Sequence, residues 1–208
     1  MFRRMSVAIL TLMVAVPLTL QAQTQLRVDR STNAADPDDV PDVTLEGMGD
    51  SFKVGTGPAA VVWDPDNTAS GEYNLKATFT LEEPSDHANY YGLVFGASDL
   101  DGSSQSYLYF LVAQNGSFIV KHRANDDAVH DIVGRTMHDA VAKPGDDGKS
   151  VNELEVRVGA DELTFLVNGT VVHTQEHAGM ASRTDGIWGV RVNHRLPGIT
   201  VEGLGVSH

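Results

Sequence analysis

The segment from residue 89 to residue 123, NYYGLVFGASDLDGSSQSYLYFLVAQNGSFIVKHR, constrains the fold of this chain more than any other. It holds three short runs rich in valine, leucine, tyrosine and phenylalanine, at 90–95, 106–113 and 118–123. Glycine, aspartate, serine and asparagine separate these runs. Runs of this length and composition, bounded by turn residues, are typical of β-strands. The segment therefore predicts three consecutive strands.

The turn between the second and third runs decides which side chains share a face. A two-residue turn at Asn115-Gly116 would place Lys121 beside apolar side chains. A three-residue loop, with Gly116 in a left-handed bulge, instead pairs Val112 with Phe118. Because a shift of one residue moves every side chain to the other face, the cleaner separation of apolar from polar residues favours the three-residue loop.

On this register one face is apolar and the other carries tyrosines and bases. The apolar face holds Leu108, Phe110, Val112, Phe118 and Val120, and the other face holds Tyr107, Tyr109, Leu111, Ile119, Lys121 and Arg123. A further strand over 187–193 could add Arg191 and Asn193 to the second face, with Trp188 on the core side.

That second face suggests a site for a sugar. Aromatic rings offer flat apolar surfaces for the C–H faces of sugars, and basic and amide groups hydrogen-bond to hydroxyls. The predicted ligand-binding residues are Tyr107, Tyr109, Lys121, Arg123, Arg191 and Asn193. In the alternative interpretation, the two tyrosines pack under a loop and the bases pair with aspartates between 126 and 131. The sequence leaves both interpretations open.

The rest of the chain from residue 43 onward has the same character. Further strands are predicted at 51–55, 60–63, 73–81, 153–158, 163–167, 171–174, 186–193 and 200–206, and a short helix over 135–142. Leu154, Val156 and Val158 alternate with Glu153 and other polar residues, as in a half-buried antiparallel strand. Many short strands at regular turn spacing predict an all-β fold, an antiparallel sandwich of two sheets in a single domain over 43–208.

Residues 1–22 have the layout of a secretory signal peptide. Arg3 and Arg4 precede an apolar stretch over 7–20, and Leu20-Gln21-Ala22 offers a small residue for cleavage. That stretch is shorter than the roughly 20 residues needed to span a bilayer, which favours cleavage over a membrane anchor. Residues 23–42 are polar and acidic, and predict a flexible leader. The domain is therefore expected in the periplasm or outside the cell, not inserted in a membrane.

The charge of the chain narrows the partners. It has 15 basic and 28 acidic residues, a formal net charge of −13 at pH 7, and no cysteine. A field of that sign repels phosphate backbones, which excludes nucleic acid and anionic membrane surfaces as good partners. Without cysteine there is no disulfide framework, so the domain must be stabilised by its core.

Catalytic and metal signals are weak. Glycoside hydrolysis needs two carboxyl groups roughly 5 to 9.5 Å apart across one bond, and Glu153 and Glu155 alternate with core residues on an outward strand face. We therefore name no catalytic residue. The eight histidines have no metal-ligand spacing. Aspartate-rich loops at 64–67, 99–102, 125–127 and 146–148 have the composition of calcium loops. They are candidates for a structural calcium, and no loop is preferred.

Four stretches together resemble a known superfamily. They are TGPAAVVWDPDNTASGEYNLKATFT at 56–80, the run from Tyr90 through Gly116, NELEVRV with FLVNGTVV, and DGIWGVRVNH with VEGLGV. They are similar to the concanavalin A-like jelly roll, and within it to laminin G-like and 3-keto-disaccharide hydrolase-like (family 16 glycoside hydrolase-like) exported bacterial domains. The resemblance implies two curved antiparallel sheets, a concave face that often holds sugars, and in some members a structural calcium.

The chain also departs from those families. The E-x-D-x-x-E pattern of family 16 glucanases is absent, and Glu153-Leu154-Glu155 is followed by no third acid. We therefore expect an exported glycan-binding or extracellular interaction module without catalysis of its own, with a carbohydrate or an extracellular protein as partner. One alternative is a carbohydrate-active enzyme of the 3-keto-disaccharide hydrolase-like type. The other is a structural protein that assembles through a sheet face or edge.

Overall fold

The computed structural model describes residues 24–30 and 41–208. This part of the chain contains fourteen strands and one 3-10 helix. The strands are β1 Gln25–Asp29, β2 Thr44–Met48, β3 Ser51–Thr56, β4 Ala59–Ala69, β5 Tyr73–Leu81, β6 Tyr90–Ser98, β7 Ser106–Ala113, β8 Ser117–Ala124, β9 Ala128–Met137, β10 Ser150–Val158, β11 Glu162–Val167, β12 Thr170–Glu176, β13 Gly186–Val192 and β14 Leu196–Ser207. The helix is Gly179–Ser182. The predicted all-β class is confirmed.

The strands form two seven-stranded sheets. Sheet A has the order β1-β4-β13-β6-β7-β8-β9, and sheet B has the order β12-β11-β10-β5-β14-β3-β2. Every strand pair is antiparallel. The predicted two-sheet antiparallel sandwich is therefore also confirmed.

The main core lies between the sheets and follows the period of two that β-strands impose. On β10, Leu154, Val156 and Val158 are buried while the residues between them face outward. Phenylalanine rings from both sheets meet at its centre, where the Phe165 centroid lies 5.2 Å from that of Phe110. Tilted and edge-to-face contacts of this kind add to the free energy gained from burial.

The hairpin of β7 and β8 has the register that the sequence favours. Val112 pairs with Phe118 across it, and Phe110 pairs with Val120. Gly116 has a φ of 87°, and its N–H donates to the carbonyl of Ala113 at 3.0 Å. The three-residue loop is confirmed, and with it the separation of the two faces.

Three strands lie where the sequence predicts none. β1 lies inside the predicted flexible leader over 23–42, so the leader prediction is wrong for residues 25–29. β2 begins at Thr44, just after the predicted leader ends at residue 42. β9 includes residues 135–137, and so the helix predicted over 135–142 is wrong. All three are edge strands with at most one paired neighbour, and most of their side chains are exposed. Such strands need no strong hydrophobic pattern, which explains why composition conceals them.

The predicted signal peptide over 1–22 lies outside the described residues. Within 24–30 and 41–208, no helix is long and apolar enough to cross a bilayer.

Candidate functional site

The outward faces of the two sheets differ in chemistry. Sheet B turns ion pairs toward solvent, such as Lys76 with Glu153 at 2.9 Å and Arg157 with Glu155 at 2.7 Å. Sheet A carries a second apolar cluster on its outward face, which is termed here the outer face of sheet A. Its buried members are Val61, Trp63, Val94, Ala97, Leu100, Tyr107, Tyr109, Leu111 and Ile119. The tyrosines that the sequence predicts to bind a ligand therefore lie on sheet A.

The structure places five of the six predicted ligand residues together on this face. Tyr109 is paired directly with Lys121, and Tyr107 with Arg123. From β13, Nη1 of Arg191 donates to the hydroxyl of Tyr107 at 2.7 Å. The same guanidinium lies 5.7 Å from the centroid of the Tyr109 ring, within cation–π range. These contacts join residues that are up to 84 positions apart in the chain.

Asn193 lies apart from that group. It follows the last residue of β13, and its backbone N–H donates to the carbonyl of Tyr90 at 2.8 Å. Its carbonyl accepts the hydroxyl of Thr56 at 2.6 Å. Asn193 therefore fixes the end of the strand through its backbone.

The tyrosines are covered. Tyr107 is 0% exposed, Tyr109 6% and Arg191 9%. Leu100, from the loop between β6 and β7, packs into the same cluster and is 2% exposed. The rings thus do not form an open platform in this conformation, which is the arrangement that the alternative interpretation describes. The role of the six residues in ligand binding stays a prediction.

The two bases on β8 are satisfied locally but remain partly accessible. Lys121 forms an ion pair with Asp131 at 2.8 Å, and its side chain is 27% exposed. Arg123 is half-buried and donates to the carbonyls of Asn125 at 2.9 Å and Asp126 at 2.8 Å. Both bases border the tyrosine cluster, so they form the accessible rim of the outer face of sheet A.

Strand β1 contributes a pair of charges that the sequence does not reveal. Asp29 accepts from Nε of Arg27 at 2.7 Å and from Nη1 of Arg191 at 3.0 Å. Arg27 also donates to the carbonyls of Leu100 at 3.1 Å and Gly102 at 2.7 Å. One carboxylate thus bridges two guanidinium groups, and one of those groups holds the β6–β7 loop against the face. The alternation of Leu26 and Val28 with Arg27 and Asp29 is the only local signal of this arrangement.

Burial and the neighbouring charges set the protonation states. Burial by itself would raise the pKa of Asp29, but the charge of Arg191 and the hydrogen bonds from both arginines outweigh it and hold that pKa below its ordinary value. Burial raises the pKa of Tyr109 to about 12, and it raises the pKa of Tyr107 as well. At neutral pH Asp29 is therefore a carboxylate, and Tyr107 and Tyr109 are neutral phenols.

The acidic residues form no metal-binding cluster within the described ranges. No group of three or more histidine, aspartate or glutamate side chains there could hold a metal ion. The aspartate-rich loops use their side chains for their own turns, as when Asp99 accepts from the N–H of Ser104 at 2.9 Å and Asp147 from that of Lys149 at 3.0 Å. Glu153 and Glu155, as predicted, lie on the outward face of sheet B, engaged in ion pairs.

Comparison with solved structures identifies the fold. The carbohydrate-binding module CBM66 from Bacillus subtilis matches with a TM-score of 0.59 at 10% identity, covering 80% of this chain and 92% of that one. A proposed glycosyl hydrolase from Parabacteroides distasonis matches with a TM-score of 0.51 at 11% identity, covering 88% and 98%. The fold is a jelly-roll β-sandwich. The predicted jelly-roll architecture is confirmed.

Sequence comparison adds no family. No protein-family model matches the chain, and no curated protein matches it significantly. The solved structures are so distant in sequence that they show the fold alone. The narrower resemblance to laminin G-like and 3-keto-disaccharide hydrolase-like domains therefore stays a prediction.

Proposed function

We propose that this protein is an exported glycan-binding module without catalysis of its own. The observation that carries the proposal is the contrast between the two outward faces. The outer face of sheet A groups tyrosine rings with arginine and lysine, the pairing of flat apolar and hydrogen-bonding groups that suits a sugar. The likeness of the fold to a carbohydrate-binding module supports the proposal without identifying a ligand.

The accessible rim is the proposed contact surface. Lys121 and Arg123 lie over the cluster with part of each side chain in solvent. Tyr90, half-buried at the other end of the face, accepts a hydrogen bond from Nε of the exposed Arg135 at 3.1 Å. A glycan laid across β6, β7 and β8 would meet hydrogen-bond donors at both ends of the face. Tyr107, Tyr109 and Arg191 would support these groups from below.

A non-catalytic role agrees with the placement of the carboxylates. Glu153 and Glu155 are each held by a base on sheet B, away from the tyrosine cluster. Two carboxylates beside the cluster, Asp29 and Asp131, are likewise engaged in ion pairs. A pair of free acids flanking one bond, which glycoside hydrolysis requires, is not formed by these four groups.

A glycan array tests binding and calcium together. The full chain is expressed in a bacterium, purified from the exported fraction, and applied with and without a chelator. We expect retention on a defined set of glycans, lowered roughly tenfold by Lys121→Ala or Arg123→Ala because each removes a charged donor. Arg157→Ala, which removes an exposed base from the outward face of sheet B, is the matched control.

The array can also disprove the proposal. If no glycan on the array retains the wild-type protein, with or without the chelator, a glycan-binding function is excluded. If all three variants are retained as strongly as the wild type, the glycan-binding function stands, but the glycan does not contact the rim. Export itself is checked by the mass of the purified chain, which should correspond to loss of about 22 N-terminal residues.

A further inference from the structure

A cleft of about 470 Å³ opens at one end of sheet B, away from the outer face of sheet A. Four segments line it, at residues 41–44, 55–57, 84–86 and 195–197. Three of the segments lie where β2 and β14 begin and where β3 ends, and the fourth, 84–86, lies between β5 and β6. The volume is within the range of 300 to 1,000 Å³ that is usual for small-molecule sites. No residue predicted from the sequence to bind a ligand lies in this cleft.

The floor of the cleft is fixed by close packing. A Cβ atom on Gly55 would lie 2.8 Å from the carbonyl oxygen of Pro197 and 2.8 Å from Oγ1 of Thr44, so only glycine can lie there without a shift. The hydroxyl of Thr56 accepts from the N–H of Leu196 at 3.2 Å. The N–H of Arg195 donates to the carbonyl of Gly57 at 2.8 Å. These bonds tie the end of β3 to the start of β14.

One wall is held by a side chain from the β7–β8 turn. The N–H of Ser85 donates to Oε1 of Gln114 at 2.9 Å, and Nε2 of Gln114 donates to the carbonyl of Ser85 at 2.7 Å. This two-bond clamp fixes the loop that carries Pro84 and Asp86. The cleft is therefore built before any ligand arrives, which lowers the entropic cost of binding.

Among the residues that line the cleft, Arg195 is the strongest indication of a binding site. Its φ is 55°, in the left-handed region that favours glycine, although no glycine occupies the position. Its side chain is exposed, and its guanidinium makes no hydrogen bond or ion pair with the described residues. Backbone strain at a charged residue on the rim of a preformed cleft is a feature of binding sites. With respect to the described residues, the guanidinium of Arg195 therefore keeps all five of its N–H donors.

The other groups on the rim define the class of ligand. Asp42 and Asp86 are exposed carboxylates, and Asp42 is paired with Arg30 outside the cleft. Carboxylates beside a guanidinium disfavour both a strongly anionic and a strongly cationic ligand. They suit a neutral molecule whose hydroxyls donate to carboxylates and accept from arginine. The rings of Pro41, Pro84 and Pro197 supply apolar surface for C–H groups.

We infer that this cleft binds a neutral mono- or disaccharide, with Arg195 and Asp86 as its hydrogen-bonding partners. The inference rests on the proposed glycan-binding function and gives it a second contact, separate from the outer face of sheet A.

The test is a titration followed by NMR. Uniformly ¹⁵N-labelled protein, purified after export of the full chain, is titrated with maltose, cellobiose, lactose and sucrose, and with galacturonic acid and glucosamine as charged probes. At least one neutral disaccharide should shift the amides of Gly55, Gly57 and Ser85. Arg195→Gly should weaken its binding at least about tenfold. Because glycine suits the left-handed backbone, this variant should melt no lower than the wild type.

Matched variants separate this inference from the proposed function. Asp86→Ala should weaken the same binding, while Arg157→Ala, on the outward face of sheet B, should leave it unchanged. If glycans bind but Arg195→Gly and Asp86→Ala bind the disaccharide like wild type, the cleft inference is overturned and the proposed function stands. Shifts with the charged probes alone would also overturn it. If the wild-type protein binds no neutral disaccharide and no glycan on the array, both proposals fail.

Discussion

Asp29 lies between two guanidinium groups near the beginning of the described chain, and it connects β1 to the middle of sheet A. Its side chain is 14% exposed, so its ion pairs are only weakly screened by solvent. Removing one member of such a pair costs more than an exposed pair contributes, because the other charge stays buried. The carboxylate of Asp29 therefore stabilises the outer face of sheet A as a whole.

The first prediction concerns the pH dependence of stability. Because the pKa of Asp29 is lowered in the folded state, its ion pairs stabilise the fold fully above the ordinary pKa of about 4, and this contribution is lost as the pH falls through the folded value. We expect Asp29→Asn to lower the free energy of unfolding by about 2 kcal/mol at pH 7. The difference should shrink below pH 4, as measured by urea denaturation. A difference that is constant from pH 7 to pH 3 would contradict this account.

The second prediction concerns the aromatic cluster. Tyr109 is 6% exposed and lies 5.7 Å from Tyr107, centroid to centroid. Tyr109→Ala would leave a cavity in the outer face of sheet A and should cost about 3 kcal/mol in the free energy of unfolding. Tyr109→Phe keeps the ring and should change stability by less than about 0.5 kcal/mol. Thermal and urea denaturation measure both variants, and an unaffected alanine variant would show that the ring is not packed.

At the scale of elements, the third prediction concerns the stability of the turn in the β7–β8 hairpin. Gly116 lies in the left-handed region with a φ of 87°, and an added Cβ would meet the flexible end of Lys143. Gly116→Ala should therefore cost about 1 kcal/mol, mainly through backbone strain. Gly134→Ala on β9, where the nearest atom lies 3.9 Å away, is the matched control and should be nearly neutral. Equal melting temperatures for the two variants would argue against a left-handed Gly116.

Most strands could be predicted because each carries its own pattern. β10 alternates leucine and valine with charged residues, and β7 joins β8 through a turn whose length decides the face. That local information also placed Tyr109 opposite Lys121. β1, β2 and β9 escaped prediction because an edge strand bonded on one side can be polar on both faces.

The environment of the candidate site could not be read from the sequence in the same way. The bond from Arg191 to Asp29 joins residues 162 positions apart, and no local pattern specifies such a partner. Which side chains are covered depends on the β6–β7 loop, whose Leu100 packs on the face. The end cleft combines four segments distant in sequence, and Arg195 shows its left-handed backbone only in the structure.

At the scale of the whole molecule, the fourth prediction concerns how salt affects ligand binding by a protein with a formal net charge of −13. Salt screens interactions between charges but acts little on neutral hydroxyl groups. The affinity for a neutral disaccharide should therefore change by less than about twofold between 50 and 500 mM sodium chloride. Calorimetric titration at both salt concentrations measures it. A steep loss of affinity at high salt would indicate a charged ligand instead.

The position of β1 at the edge of sheet A affects how readily the protein aggregates. Without its five residues, β4 would become the edge of sheet A, and its first half is the apolar run Ala-Ala-Val-Val-Trp. An unpaired apolar strand of this kind invites pairing with the same strand of another molecule. A chain that begins at residue 43, where the sequence patterns place the start of the domain, would expose that edge and leave Arg191 without its counter-ion. β1 thus covers the apolar edge of β4, and we expect a chain lacking it to self-associate more readily.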